Sequence, residues 1–340
     1  MTTTLGQSPL TEERRPDHRT DPARPRVAPA AVGGVEVHDT VAGYSAALDR
    51  IRRSGLSIGV VPTMGALHDG HASLIRRAAQ ECDVVAVSIF VNPTQFGDPA
   101  DLANYPRTWQ SDLAAVGHAG GRLVFAPSVA EMYPDPPGDD LAAPVSVPEL
   151  SGRWEGASRP GHFDGVATIV VKLLAAAGPC RAYFGEKDFQ QLAVVRRVVR
   201  DHSLPAEIVG CRTVRDDDGL ALSSRNVRLS PDQRRAALAL SRALRTGATL
   251  VAAGEARGPV VEAAMARVVA AEPLVDLDYA AAVDADDLEP APRCDGRRPV
   301  RLIIAATVGG VRLIDNLDPF DPPRAPGRPV RAEPAELSLR

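Results

Sequence analysis

Lysine is almost missing from this chain. Of 39 basic residues only two, Lys172 and Lys187, are lysines, and arginine fills every other cationic position. A lysine kept against that background is a candidate for a specific task, because its compact, mobile ammonium is not interchangeable with a planar guanidinium. Aromatics are scarce too, at 4%, so the core has to be built from Ala, Val and Leu. The four cysteines (Cys82, Cys180, Cys211, Cys294) lie far apart with no CxxC pair. That spacing argues against a disulfide framework or a thiolate metal site and for reduced thiols in a cytoplasmic protein. No uninterrupted apolar run approaches the ~18–20 residues of a membrane span. Acid and base nearly cancel, leaving a net charge of −4, so no global basic field invites nucleic acid or an anionic membrane.

Residues 1–34 are polar, with Arg and Pro throughout and no apolar stretch of the signal-peptide kind; a disordered tail is expected. The Pro- and Arg-rich end, 319–340, is expected to be loose as well. Between the tails, residues 40–54 read as a helix ended by Ser54-Gly55. Near-continuous apolar runs follow at "LSIGVV", "DVVAVSIFV" (83–91), "RLVFAP" (122–127) and "RAYFG" (181–185), with helical segments such as "FDGVATIVVKLLAAA" and "DFQQLAVVRRVVRDH" among them. Strands alternating with helices predict an α/β fold, a Rossmann-like parallel sheet with helices on both faces, over 35–213. From about Val214 the character changes. Two Ala-rich helices (231–253 and 257–270) precede three strand-like runs, "LVDLDYAAAV", "RLIIAATV" and "VRLIDNL". That order predicts a smaller C-terminal α+β domain over 214–318.

Four stretches carry chemistry. In "PTMGALHDGH" a strand hands over to a helix, and His68 and His71 bracket Gly70 there. A helix N-terminus offers unpaired N–H groups and partial positive charge, which suits phosphate, and imidazoles can add donors to phosphoryl oxygens. The pair could equally cap the helix or lie on the surface, and zinc would need a third ligand that no convincing spacing supplies. In "YFGEKDFQQL", Gly185 turns the chain and Glu186, Lys187 and Asp188 open a helix. Lys187 could sit beside a polyphosphate or simply be solvated. In "DGLALSSRN" (218–226), two serines and an arginine could form a flap over phosphates, or an ordinary turn leading to a helix capped at Ser230. In "SIFVNPTQF", Asn92 and Gln95 follow a buried strand, and uncharged amides suit a small ligand bearing hydroxyls and a carboxylate. Gln190 and Gln191 lie close to Lys187 on the next helix, and one of them could face the same cavity.

Taken together, "PTMGALHDGH", "SIFVNPTQFG", "YPRT", "RPGHFDGV", "FGEKDFQQL" and "DGLALSSRN" resemble, in order and spacing, the pantothenate synthetase or pantoate–β-alanine ligase family, over about residues 36–318. "HDGH" alone would indicate only the HxGH nucleotidyltransferase superfamily; "NPTQF" and "GEKDFQQL" point to this member. The resemblance implies an AMP-forming ligase that makes an amide bond, with ATP, pantoate and β-alanine as substrates, Mg2+ accompanying ATP, and a homodimeric assembly. It implies that the loop Met64, Gly65, Ala66, Leu67, His68, Asp69, Gly70, His71 holds ATP, His71 being the usual proton donor. Gly185, Glu186, Lys187 and Asp188 would continue the nucleotide site, with Val214 near adenine. Leu222, Ser223, Ser224 and Arg225 would be the flap on the triphosphate, and His68, His71, Lys187 and Arg225 the catalytic set. Asn92, Gln95 and Gln191 would bind pantoate, Gln95 lying also near β-alanine.

Two positions depart from the family pattern. Leu222 stands where many relatives have Met, a swap of similar volume. Ser111 precedes a single acid, Asp112, where relatives often have two, so Asp112 is the candidate protein contact to magnesium. The rival reading is a nucleotidylyltransferase acting on a phosphate-bearing acceptor. Such an acceptor pocket should be basic, whereas Asn92, Gln95 and Gln191 predict a neutral one.

Overall fold

The computed structural model describes residues 34–134 and 143–321, so the tails expected at 1–34 and 319–340 fall almost wholly outside the described residues. Six strands, β1 (Glu36–His38), β2 (Ile58–Thr63), β3 (Val84–Ile89), β4 (Leu123–Phe125), β5 (Cys180–Gly185) and β6 (Ala206–Cys211), form a parallel sheet in the order β1-β4-β3-β2-β5-β6. The chain steps outward from β2 through β3 to β4, then returns to lay β5 on the other side of β2. The strand order therefore reverses between β2 and β5, which in an open parallel sheet opens a crevice at the carboxyl ends.

Both faces of this sheet are covered, as the unbroken apolar runs require. Helices Val41–Arg53, His162–Ala177 and Phe189–Asp201 close one face over Leu48, Phe125, Leu174 and Leu192. Helices Asp69–Glu81 and Trp109–His118 close the other over Val61, Ile75, Val116 and Val124. Two strands escape the sequence reading. β1 has three residues and only Val37 buried among them, and β6 is an edge strand whose residues are mostly half-exposed. Neither can show the continuous apolar signature of a central strand.

The C-terminal part matches its expected order. Helices Pro231–Ala252 and Gly258–Ala270 precede β7 (Val275–Asp284), β8 (Val300–Val308) and β9 (Val311–Leu317), which pair antiparallel in sequence order. Ser230 caps the first of these helices reciprocally with Gln233, and Pro231 occupies its first turn. This small sheet is buried on both sides. Leu302, Ile304 and Ala306 of β8 pack with Leu240, Leu244 and Met265 of the helices. The alternate residue Ile303, with Ala281 and Val283 of β7, packs instead on Phe163, Phe189, Val194 and Val198 of the parallel-sheet unit. The two-residue period of a strand thus welds the two units together.

One glycine fixes how closely the site's scaffold can pack. Gly165, on helix His162–Ala177, runs against the turn after β3, and a Cβ there would stand 2.3 Å from the Thr94 carbonyl oxygen. Gly165→Ala is therefore expected to lower the free energy of unfolding by about 1–3 kcal/mol, the range for overpacking. Urea titration checks this, and an unchanged midpoint would contradict it.

Candidate active site

The sheet's carboxyl edge carries all four of the stretches singled out in the sequence. After β2 comes the histidine loop, after β3 the amide loop, after β5 the lysine turn, and after β6 the serine-arginine segment. Together they line one open cleft, whose walls include His68, His71, Lys187 and Arg225.

The histidine loop is shaped by a buried carboxylate. Gly65 and Ala66 both adopt left-handed backbone (φ 82° and 51°), unusual for alanine. Asp112, almost fully buried, accepts hydrogen bonds from the Ala66 N–H (3.0 Å) and the Leu67 N–H (2.8 Å), and Thr108 Oγ1 donates to it as well (3.1 Å). Those bonds hold the turn that delivers His68 to the N-cap of helix Asp69–Glu81. His68 Nδ1 accepts from the Gly70 N–H and His71 Nδ1 accepts from the His68 N–H. The imidazoles are thus helix caps and cleft residues at once. With both Nδ1 atoms accepting, the neutral rings carry their protons on Nε2, leaving that N–H as the remaining donor. Gly70 is required by this cap, since a Cβ there would sit 2.8 Å from the His68 ring.

Both rings are held neutral. Burial lowers His71 from the ordinary 6.5 to about 3, with the adjacent His68 adding to the effect. Burial, then the Lys187 charge, lowers His68. The positive charge of the cleft therefore rests on other groups. Lys187 projects from the short turn Glu186–Asp188, and its Nζ lies 3.8 Å from Asp188. Arg225 pairs with Asp101 at 3.2 Å, and Tyr105 and Ser224 line the same cleft, so the serine-arginine segment closes onto the loop after β3.

The amide wall is more specialised than its sequence indicates. Asn92 is 1% exposed and fully engaged: its Nδ2 donates to Gln95 Oε1 and to the Gly165 carbonyl, while its Oδ1 accepts from Tyr133 and Thr94. It positions Gln95 and has no amide hydrogen left for a ligand. Gln191 lines the cleft, whereas Gln190 is turned away and tied to the carbonyls of Leu150 and Arg153. The wall is not neutral, contrary to expectation, because Arg159 stands in it. Arg159 bonds His162 Nε2 at 3.1 Å, and His162 Nδ1 donates to the Gln95 carbonyl at 2.8 Å. Burial first, then the Arg159 charge, lowers His162 to about 4. Both residues lie within "RPGHFDGV", so the signal was present in the sequence, but nothing local distinguishes a cleft arginine from the many surface ones.

Of the other sequence-selected residues, Met64, Gly70, Gly185, Asp188, Val214, Leu222, Ser223 and Ser224 line the cleft. Gly65, Ala66 and Leu67 form the turn behind it. Asp69 opens the helix, and Glu186 faces Arg301 at 3.0 Å instead of the cleft. Asp112 is buried and its oxygens hold the histidine loop, and among the described residues no group of three or more His, Cys, Asp or Glu side chains could hold a metal ion.

Two expectations follow. Asp112→Asn replaces an acceptor with a donor facing backbone N–H groups, so amides at 66–71 should exchange with solvent at least about tenfold faster, as hydrogen-exchange mass spectrometry can read. His71 and His162 bind protons more weakly folded than unfolded. Stability is therefore complete above the ordinary 6.5 and drains away as pH falls toward about 4. The loss is up to about 1.4 kcal/mol per pH unit for each ring. Urea unfolding at several pH values should show this slope, and His162→Gln should flatten it.

Comparison with known proteins agrees with this geometry. The family model for pantoate-beta-alanine ligase matches residues 36–318. The pantothenate synthetase of Rubrobacter xylanophilus is 54% identical over 276 residues, covering 78% of this chain and 92% of the relative, and that of Moorella thermoacetica is 50% identical over 283 residues, covering 83% and 98%. The crystal structure of the pantothenate synthetase from Thermus thermophilus superposes with a TM-score of 0.77 at 46% identity, covering 84% of this chain and 99% of that one. A Francisella tularensis pantoate-beta-alanine ligase, solved with beta-gamma ATP and beta-alanine, superposes at 0.67 and 33% identity, covering 83% and 97%. With the match running through nearly all of the described residues, the chain belongs to the pantoate–β-alanine ligase family.

Proposed function

We propose that this chain condenses pantoate with β-alanine to form pantothenate, using ATP and passing through pantoyl adenylate. The observation that carries the reading is the convergence of His68, His71, Lys187 and Arg225 on one cleft beside Gln95 and Gln191, in a chain of this family. A free carboxylate is a poor acyl donor because its leaving group would be oxide. Attack of the pantoate carboxylate oxygen on the α-phosphorus forms an O–P bond, breaks the bond to the β-phosphate and releases pyrophosphate. The β-alanine amine then attacks the acyl carbon, and AMP leaves with the electron pair.

The chain's own part is positioning and charge. The Nε2–H groups of His68 and His71 serve as neutral donors to phosphoryl oxygens, and phosphate nearby would raise their proton affinity. Lys187 and Arg225 supply the positive charge, with Ser223 and Ser224 adding hydroxyl donors. Gln95 and Gln191 take the acid's hydroxyls, Gln95 reaching also toward β-alanine, while Arg159 offers a counter-charge to a carboxylate. Val214 would lie near adenine, and Leu222 would belong with Ser223, Ser224 and Arg225 to the flap on the triphosphate. Magnesium is proposed to arrive on the ATP phosphates, because Asp112 is committed to the loop and the described residues do not form a cation cage. The unit 35–213 would bind both ligands, the unit 214–318 would close the site, and the resemblance supports a homodimer. Four free cysteines, and the lack among the described residues of any helix long and apolar enough to cross a membrane, support a cytoplasmic setting. An acceptor bearing phosphate is less well matched, since a single arginine and two amides suit a carboxylate and hydroxyls better.

Incubation with ATP, pantoate and β-alanine should yield AMP and pyrophosphate only when both acids are present; ADP would overturn the reading. His71→Ala and Lys187→Ala should each reduce pantoate-dependent pyrophosphate exchange by about 10²–10⁴-fold while the far-ultraviolet circular dichroism stays unchanged.

A further inference from the structure

Lys187 belongs to the parallel-sheet unit, yet the turn that presents it is held from the other one. Asn316, on β9, is 3% exposed. Its Nδ2 spends both hydrogens on that turn, donating to the Glu186 carbonyl at 2.9 Å and to the Lys187 carbonyl at 2.8 Å. The amide's orientation is set by Arg301 of β8, whose Nε donates to Asn316 Oδ1 at 2.7 Å. The same guanidinium reaches the Glu186 carboxylate at 3.0 Å and lies over the Phe189 ring. Every polar atom of the Asn316 side chain is thereby used, in a buried setting where an unmatched amide is costly.

The turn has little else to fix it. Glu186–Asp188 is a single three-residue 3-10 turn, Gly185 before it makes no side-chain cap, and the helix that follows starts without a capping bond from Asp188. Among the described residues the Lys187 ammonium pairs only with Asp188, at 3.8 Å. A long flexible side chain on a loosely capped turn is a poor instrument for a charge that must be set within about 0.5 Å. Fastening the peptide at its base is the remaining way to restrict it.

We propose that Asn316 is a positioning residue for Lys187: the C-terminal unit contributes to the reaction by clamping the lysine turn. This rests on the reading of Lys187 as the ammonium at the ATP phosphates, and the test separates the two. Asn316→Asp keeps size and the acceptor for Arg301 but sets carboxylate oxygens against two carbonyls. It should weaken ATP binding, measured calorimetrically on the full chain, by ~10-fold. It should also slow pantoate-dependent pyrophosphate exchange while leaving KM for β-alanine within about twofold. In a Lys187→Ala background the same substitution should change ATP affinity less than about twofold. Equal losses in the two backgrounds would overturn the clamp, because Asn316 would then act independently of the lysine. Lys187→Ala with ordinary ATP affinity and exchange would overturn the lysine reading and, with it, the clamp. If Asn316→Asp does not fold, Arg301→Met frees the amide's orientation while keeping its donors and should produce a smaller loss with the same dependence on Lys187. Arg301→Met without effect on ATP affinity would count against the clamp.

Discussion

The site depends on one pairing, the lateral contact of β2 with β5. Only two residue pairs register it, Gly59 with Arg181 and Val60 with Ala182, but they set the strand order in which the chain reverses direction. A histidine turn and a lysine turn far apart in sequence consequently leave adjacent strands at the same edge. Had the chain continued outward past β4, the two turns would have been separated by the width of the sheet.

Given that edge, a second physical theme governs the loops. Each functional turn is irregular backbone whose polar groups cannot be satisfied by the sheet. A buried polar side chain from elsewhere does it instead. Asp112 holds the histidine loop, Asn92 holds Gln95, His162 holds the carbonyl of Gln95, and Asn316 holds the lysine turn. None of the first three reaches a ligand-facing position with a spare hydrogen-bonding hydrogen, so a residue's polarity and its nearness to the cleft do not by themselves identify a binding group. The neutral state of His68 and His71 belongs to the same logic. Desolvation of both rings, the Lys187 charge near His68 and the His68 ring beside His71 disfavour a proton on either ring, which leaves two directional donors flanked by permanent cations. The helix cap orients these donors, and Lys187 and Arg225 stand in the same cleft, an arrangement suited to a polyanion.

The motif-bearing loops are legible because their residue types are unusual in context: two histidines three apart at a strand-helix junction, and a lysine in a chain of arginines. The central strands are legible for a related reason, since burial on both faces leaves an unbroken apolar run. Edge strands β1 and β6 are not, because half-exposed residues carry no such signature. The sequence shows the chemistry of Asp112 and Asn92 but not the partners inside the protein that each one holds, the backbone of the histidine loop for the first and Gln95, Gly165, Tyr133 and Thr94 for the second. Arg159 is inconspicuous for the opposite reason, as one arginine among 39 basic residues.

From the order of residues alone came the alternation of strands and helices, the helix caps and the chemical kinds of group available to the cleft. These are local properties, set by the periodicity and side chains of short stretches. Tertiary structure alone decided which of those groups face one another, which are consumed in holding a loop, and that an asparagine on the last strand would reach back to the lysine turn. Such relations depend on long-range strand order and on how two cores share a face, and no stretch of chain contains them.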